Sequence, residues 1–378
     1  MRIAVSGYIG PSKTGIGVVT DEFLSRLAQN NFEPHEYFVF CNYDTELRLP
    51  VNKHLHIIHY RISRKAALKN LLWMIFIYPF ECWRVKAQIS IIPNVTFLVF
   101  KVCPTIVIIH DLIEFKVPDK FDRLRMLYRH IAVPVTAYRA DTIVTDSISS
   151  SRDIVTEFGN RLSSKIKIIY PGIKTIKTMV STSDQHQITQ IPGDYLLYVG
   201  TIDHPGKNGI ALVRIFSKLS QQLQRKVYIV YAGKPGPGYA YITQEIESLG
   251  IKDRVIFLGY VPDADLPDLY ANCKVFIFPS RYEGFGLPVI EAMYYGAPVI
   301  TANNSSLIEA AGDAGLLFDA DDIDGMAMAV EQICRDDDYR MQLILKGREH
   351  IKQFSWEKNC RQWKDLINSW DKSKNNAL

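Results

Sequence analysis

A chain of 378 residues exceeds what one typical hydrophobic core supports, so two domains of roughly 180 residues each are expected. With 47% hydrophobic and 22% charged residues the composition is that of a soluble globular protein and not of a disordered or fibrous one. The net charge of +4 conceals an asymmetry: residues 1–180 hold 24 Lys and Arg against 15 Asp and Glu, and residues 181–378 hold 20 against 25.

Met1 to Gly7 reads as a strand, Ile3 to Ser6, and a turn; it lacks the longer apolar core of a signal peptide, so a cytoplasmic location is expected. A helix over Ile16 to Ala28 follows. Further strands are expected at Tyr37–Phe40, Leu55–His59, Ile89–Ile92, Thr105–Ile109, Thr142–Thr145 and Lys167–Ile169. Their short, nearly all-apolar character is that of parallel strands covered on both faces. Between the third and fourth, Arg61, Arg64, Lys65 and Lys69 precede the ten-residue run Leu71 to Phe80, and residues 51–100 carry seven basic side chains against one acidic. The run is too short to cross a bilayer. It reads either as a core helix with a solvated basic flank or as a segment that docks on an anionic membrane at the inner face of the cell. No recognition motif accompanies the charge, which argues against nucleic acid.

From Lys174 to Asp194 the sequence turns to Thr, Ser and Gln, the composition of a linker. A second series of strands begins at Tyr195–Val199 and continues at Val227–Tyr231, Val255–Leu258, Val275–Phe278, Pro298–Thr301 and Gly315–Phe318, with helices between. Two α/β, Rossmann-like domains facing a central cleft follow from this alternation, with ligands at the carboxyl ends of the strands. The divisions are 1–178, a linker at 179–194, 195–353, and a final helical segment at 354–378. Six cysteines, at 41, 82, 103, 273, 334 and 360, form no Cys-x-x-Cys pair and no zinc spacing, as expected of a reducing compartment and no metal centre.

The most informative string is Phe278 to Glu291, FPSRYEGFGLPVIE. A strand runs into a loop where Gly284 and Gly286 allow close backbone approach, and Pro288 suits the first position of a helix. A diphosphate fits such a helix N-terminus, where exposed N–H groups and the helix dipole favour an anion. Glu283, in the loop, would reach a sugar, and Glu291, about one turn into the helix, a ribose diol. Glycine and proline after a strand are also ordinary punctuation, and a glutamate in a first turn is favoured by the dipole alone.

Taken whole, residues 279–298 resemble the signature of retaining glycosyltransferases of family 4, and the likeness extends over nearly the whole chain. The resemblance implies a GT-B fold and a function like that of bacterial surface-polysaccharide mannosyl-, glucosyl- or rhamnosyltransferases, in O-antigen or exopolysaccharide synthesis. It also implies that the last helix, Phe354 to Trp370, crosses back to the first domain. In the family, a loop like Thr14-Gly15-Ile16-Gly17 lies against the sugar phosphate and acceptor, which assigns Gly15 and Gly17 to donor binding. His110, at the end of the strand Thr105–Ile109, would position or polarise the sugar. After Gly200 and Thr201, Lys207 would neutralise the leaving diphosphate. Gly206 stands where the family often has an arginine, and Arg281 is a candidate replacement or else a salt-bridge partner. Backbone groups of Tyr260 and Val261 would read the nucleobase.

The reaction implied is retaining transfer of a hexose from a nucleoside-diphosphate sugar to a saccharide or lipid-linked saccharide acceptor, with an undecaprenyl diphosphate carrier as one candidate. Lys207 and the amides from Gly284 through Phe285 and Gly286 to Leu287 would stabilise the departing diphosphate, and Glu283 would orient the sugar. No cofactor and no metal is required: Asp263-Ala264-Asp265 sits in an expected helix-capping turn, and Asn304-Ser305-Ser306 is expected to cap the helix Leu307–Ala311, with a donor-site role as the weaker alternative. A nucleotide-sugar epimerase of the same fold and a catalytically silent binding protein are the alternatives. A dinucleotide oxidoreductase is disfavoured by the missing glycine fingerprint and ribose carboxylate.

Overall fold

The structure, a computed structural model, describes residues 1–7, 22–26, 35–44, 53–63, 65–117, 123–173 and 191–375. Within these residues thirteen strands form two sheets, parallel throughout. In the first, β1 (Arg2–Ser6), β2 (Glu36–Asn42), β3 (Leu55–Tyr60), β4 (Ile89–Ile92), β5 (Thr105–Ile108), β6 (Thr142–Thr145) and β7 (Ile166–Ile168) lie in the order β3-β2-β1-β4-β5-β6-β7. In the second, β8 (Asp194–Val199), β9 (Val227–Ala232), β10 (Val255–Gly259), β11 (Val275–Phe278), β12 (Val299–Ala302) and β13 (Leu316–Phe318) lie in the order β10-β9-β8-β11-β12-β13. Every residue of β4, β5, β6, β11 and β12 is buried, which is why these strands read as unbroken apolar or β-branched runs.

In each sheet the strand order reverses once, between β1 and β4 and between β8 and β11. Loops leaving adjacent strands there diverge to opposite faces of the sheet and open a crevice at the carboxyl ends. Register seats β11 beside β8, with Val275 opposite Leu196 and Phe276 opposite Leu197. This neighbourhood positions the site described below.

The chain divides into two compact units, residues 1–171 with 356–378, and residues 172–355. Most of the stretch expected as a linker lies outside the described residues, and Asp194 already belongs to β8. The glycines Gly15 and Gly17 also lie outside them, and of the helix expected over Ile16 to Ala28 only residues 22–26 are described, as helix.

One face of the first sheet is covered by Phe23 and Leu24 and by the final helix, Trp356–Asn375, which adds Trp363 and Ile367 to that core. The Phe23 and Trp363 rings meet at 4.8 Å, and Asn359 Nδ2 donates to the Tyr170 carbonyl at 2.8 Å. The opposite face carries Trp73, Met74, Tyr78 and Cys82 together with Val133 and Ala137. The run Leu71 to Phe80 is therefore helical, within a segment that passes from α (Ala67–Leu72) through a π turn (Trp73–Ile77) back to α (Tyr78–Arg84). It is only half a core helix, because Leu72, Phe76 and Phe80 stay exposed.

Candidate active site

The loops after β8 and β11 bring together two residues 76 positions apart. Lys207 Nζ lies 2.7 Å from Glu283 Oε1, with both side chains mostly buried. The loop after β8 is shaped by Asp203, which is buried; its carboxylate accepts from the Lys207 amide at 2.5 Å and its carbonyl from Gly209 N at 2.9 Å. Asn208 takes a left-handed conformation, φ +53°, stabilised by donation from its buried amide to the Ala320 carbonyl at 2.9 Å. So held, the Lys207 ammonium stands 5.2 Å above the Phe278 ring, an attractive cation–π placement.

Glu283 is gripped at both ends. Ser280 Oγ donates to Oε1 at 2.8 Å, so one carboxylate oxygen serves both the serine and the lysine. At the backbone, Glu283 N donates to Ser305 Oγ at 3.1 Å and Ser306 Oγ donates to the Glu283 carbonyl at 2.8 Å. The expectation that Asn304-Ser305-Ser306 caps the helix Leu307–Ala311 is corrected here. Ser306 occupies the cap position without making a side-chain cap bond, because both hydroxyls are used on Glu283. The Asp263–Asp265 turn likewise leads into the helix Leu266–Asn272 without a side-chain cap bond from Asp265.

Gly286, at φ +100°, turns the chain into the helix Leu287–Tyr294; a Cβ there would meet Leu307 Cδ2 at 2.8 Å. Pro288 is the second helical residue, one later than expected. The Phe285 side chain is buried, its ring centre 5.2 Å from that of Phe354. In the second turn of the helix, Glu291 Oε2 accepts from Tyr270 OH at 3.2 Å. Burial, and secondarily the Glu291 charge, push the Tyr270 phenol well above its ordinary pKa, so it remains a donor.

At the neighbouring strand ends three loops are stitched together. Gly233 N donates to the Gly259 carbonyl at 2.7 Å and Ile202 N to the Lys234 carbonyl at 2.9 Å; a Cβ at Gly233 would fall 1.8 Å from the Gly200 carbonyl oxygen. Thr201, whose carbonyl accepts from Tyr198 OH, is exposed, as is Tyr260, with Lys234 Nζ 5.3 Å from the centre of its ring. Val261 is buried. Arg281 is not a second cation in this arrangement: its guanidinium makes a two-pronged pair with Asp321, at 2.7 and 2.5 Å. That hydrogen bonding raises the arginine pKa further and lowers that of Asp321.

Residues 182–350 match the family of glycosyl transferases group 1. The O-antigen chain mannosyltransferase B of Escherichia coli is 32% identical over 265 residues, covering 66% of each chain. The serotype-specific mannosyltransferase WbdA of the same organism is 29% identical over 262 residues. The chain carries a glycosyl transferases group 1 domain. The match covers 67% of this chain but only 32% of WbdA, so the chain spans about a third of that relative and just under two thirds of the first. Among solved structures, Anabaena HepE in complex with UDP and glucose superposes with a TM-score of 0.72 at 18% identity, over 98% of this chain and all of the other. The two parallel sheets and this likeness make the fold GT-B.

The glycosyl transferases group 1 domain thus contains Lys207, Glu283, Glu291 and the glycine-rich loop, whereas His110 belongs to the other unit. There its ring is held by two partners. His110 is buried, with Nδ1 2.5 Å from Asp146 Oδ2 and Nε2 2.9 Å from the Pro93 carbonyl, so both ring nitrogens are occupied within the unit. Burial alone would lower the ring pKa; the Asp146 carboxylate and the Pro93 oxygen outweigh it and raise the value, favouring an imidazolium that donates from both nitrogens. Such a ring organises the carboxyl ends of β4, β5 and β6, where Ser150 Oγ also donates to the His110 carbonyl at 2.8 Å. Contact with a sugar through a ring nitrogen requires one of these bonds to break.

Asp203 and Ser280 were not legible as site residues, and Ser305 and Ser306 only as the weaker of two readings. Their partners are backbone groups and a carboxylate on other loops, and nothing in their own sequence neighbourhood announces those partners. For Ser305 and Ser306 the position before a helix pointed to capping instead.

Proposed function

We propose that this chain is a retaining, metal-independent hexosyltransferase of family 4 that uses a nucleoside-diphosphate sugar, and that it serves bacterial surface-polysaccharide synthesis. The observation that carries the reading is the Lys207–Glu283 pair, set between the loops of β8 and β11 beside the glycine turn at Gly286. A cation and an acceptor held 2.7 Å apart are the two groups a sugar nucleotide needs, one for the diphosphate and one for sugar hydroxyls. The names of the relatives make mannose the first sugar to test, and the UDP and glucose bound to HepE support a nucleoside-diphosphate donor.

In the mechanism, donor binding draws the Lys207 ammonium from Glu283 to the diphosphate. The bond between the anomeric carbon and the phosphate oxygen breaks with its electron pair going to the diphosphate. The growing charge there is stabilised by Lys207 and by amides of residues 284–287 more than in the ground state. Glu283, released from the lysine but still held by Ser280, aligns the sugar hydroxyls and stabilises positive charge on the ring. The acceptor hydroxyl attacks on the face the diphosphate leaves and passes its proton to the departing phosphate oxygen. Gly200, Thr201, Tyr260 and Val261 border the place for the nucleoside, and Glu291, held by Tyr270, for the ribose.

For the acceptor we infer a saccharide on a lipid carrier such as undecaprenyl diphosphate, met in the cytoplasm at the inner face of the membrane. None of the described helices is long and apolar enough to cross a membrane, so contact would be peripheral. Incubation with a panel of sugar nucleotides, read by mass spectrometry with and without chelator, tests the proposal. Transfer or slow donor hydrolysis insensitive to chelation is expected. Epimerised donor would assign an epimerase, unchanged and unbound donor would end the reading, and an absolute metal requirement would remove the role given to Lys207.

A further inference from the structure

We infer that one face of the first unit is a docking surface for an anionic lipid bilayer, built from three segments. The first is the helical segment from Ala67 to Arg84. Its inward side supplies Trp73, Met74, Tyr78 and Cys82 to the core, yet its outward side is also apolar: Leu68, Leu72, Phe76, Phe80 and Trp83 are all exposed, Leu68 by 69% and Trp83 by 65%. A helix on the surface of a water-soluble protein ordinarily turns a polar face outward. Large residues recurring every four positions drift by about 40° per step around an α-helix. The π turn Trp73–Ile77, which advances less per residue, counters that drift and keeps the five side chains in one stripe.

The second segment joins the stripe from the loop between β4 and β5. Phe100 and Val102 are both exposed, and the Phe100 ring lies 6.1 Å from that of Phe76. The same loop is fastened to the helix Arg123–Arg139, because Leu98 N donates to Thr136 Oγ1 at 3.1 Å. This helix covers the same side of the sheet, sharing its core through Val133 and Ala137. Its outward side exposes Leu124 (79%), Leu127 and Ile131, spaced by three and four residues as one stripe. The first two segments join at Phe76 and Phe100 and the third carries its stripe on the same side of the sheet, which exceeds the scattered exposed side chains of an ordinary monomer.

Charge decides the occupant. Lys65, Lys69 and Lys86 are exposed around the first stripe. The acids nearby are already answered: Glu81 is buried and pairs with Arg84 at 2.6 Å, and Asp141 pairs with Lys101 at 2.7 Å. Aromatic rings and aliphatic side chains ringed by cations suit the interface of an anionic leaflet, where rings sit at headgroup depth and lysines meet phosphates. The segment is too short to span, so it lies in the plane of the surface. This deepens the proposed function, on which the lipid-linked acceptor rests, by naming the surface that would meet that acceptor's membrane; the docking itself stands independently of the reaction.

The test is sedimentation of the full chain with phosphatidylcholine vesicles lacking or containing phosphatidylglycerol, at low and high salt. Binding is expected only to the anionic vesicles, weaker at high salt, and reduced on the order of tenfold or more by the double substitution F76S/F80S. Because both residues are exposed, the variant should fold; nucleoside-diphosphate binding in the other unit, followed by calorimetry, should match the parent. Y241S, at an exposed aromatic of the second unit, should bind vesicles as the parent does. The inference is overturned if the parent ignores anionic vesicles at low salt or if F76S/F80S binds them equally. It is equally overturned if the parent forms a dimer that this variant abolishes, which would assign the face to a second copy of the chain. Failure of the donor panel with vesicle binding intact would sink the glycosyltransfer reading and leave the docking face standing.

Discussion

Lys207→Met and Glu283→Gln, each alone and the two combined, separate a catalytic ion pair from a structural one. The pair is 22% exposed at Lys207 and 17% at Glu283, between the surface regime of about 0–1 kcal/mol and the cost of about 3–5 kcal/mol for breaking a buried pair. Ser280 remains on Glu283 in the Lys207→Met variant, so a loss of ~1–3 kcal/mol in unfolding free energy is expected. In the double variant neither side chain carries a charge, and much of that loss should return as a coupling in the double-mutant cycle. Turnover should behave differently. Losing one cation from a developing diphosphate charge costs about 3 kcal/mol of transition-state stabilisation, near 10²-fold in rate, and neutralising Glu283 as well cannot restore it. The assays are urea unfolding and donor turnover on the same four proteins. If turnover recovers in the double variant along with stability, the pair is structural and the mechanism above is wrong.

Three further outcomes follow from the geometry. Gly286→Ala forces a side chain onto a φ of +100° and into Leu307, so unfolding should show a loss of about 1–3 kcal/mol, with donor binding weakened; an unchanged stability would contradict the turn as described. Arg281→Ala removes a pair with Asp321 that is largely exposed, so stability should change by no more than about 1 kcal/mol and turnover by a few-fold at most; a collapse in turnover would make Arg281 the missing second cation. His110 has a raised pKa in the folded state, so its contribution to stability is fully present below its unfolded pKa of roughly 6.5 and is lost as pH rises through the folded value. The stability difference between the parent and Asp146→Asn should therefore be largest between about pH 5 and 6.5 and shrink at alkaline pH; a difference independent of pH would mean that the ring is neutral.

The strands were legible because burial on both faces demands the short apolar runs that a reader sees, as in Ile89–Ile92 and Val275–Phe278. Glu283 and Glu291 were legible because a glycine turn and a helix start are local devices. Lys207 became visible through a family likeness and not through its own spacing. The Leu71–Phe80 run was ambiguous for a physical reason: a helix apolar on all sides reads the same whether its outer half is packed in the core or left at the surface, and only the exposure of Phe76 and Phe80 distinguishes the two. The surroundings of His110 were hidden for a related reason, since a histidine ending a strand looks the same whether its ring is open to a ligand or closed by Asp146 and Pro93.

By itself the sequence determined the alternation of strands and helices, the glycine turn and the residues available for anion and hydroxyl binding, because each depends on neighbours within a few positions. Tertiary structure decided which of them meet. Lys207 reaches Glu283 because β8 lies beside β11, an adjacency set by sheet order across a separation of 76 positions. Arg281 is withdrawn by Asp321, forty residues on, and Glu283 is fastened by Ser305 and Ser306 from the loop after β12. Side-chain pairing across strand ends is a property of the assembled sheet, and no local pattern encodes it.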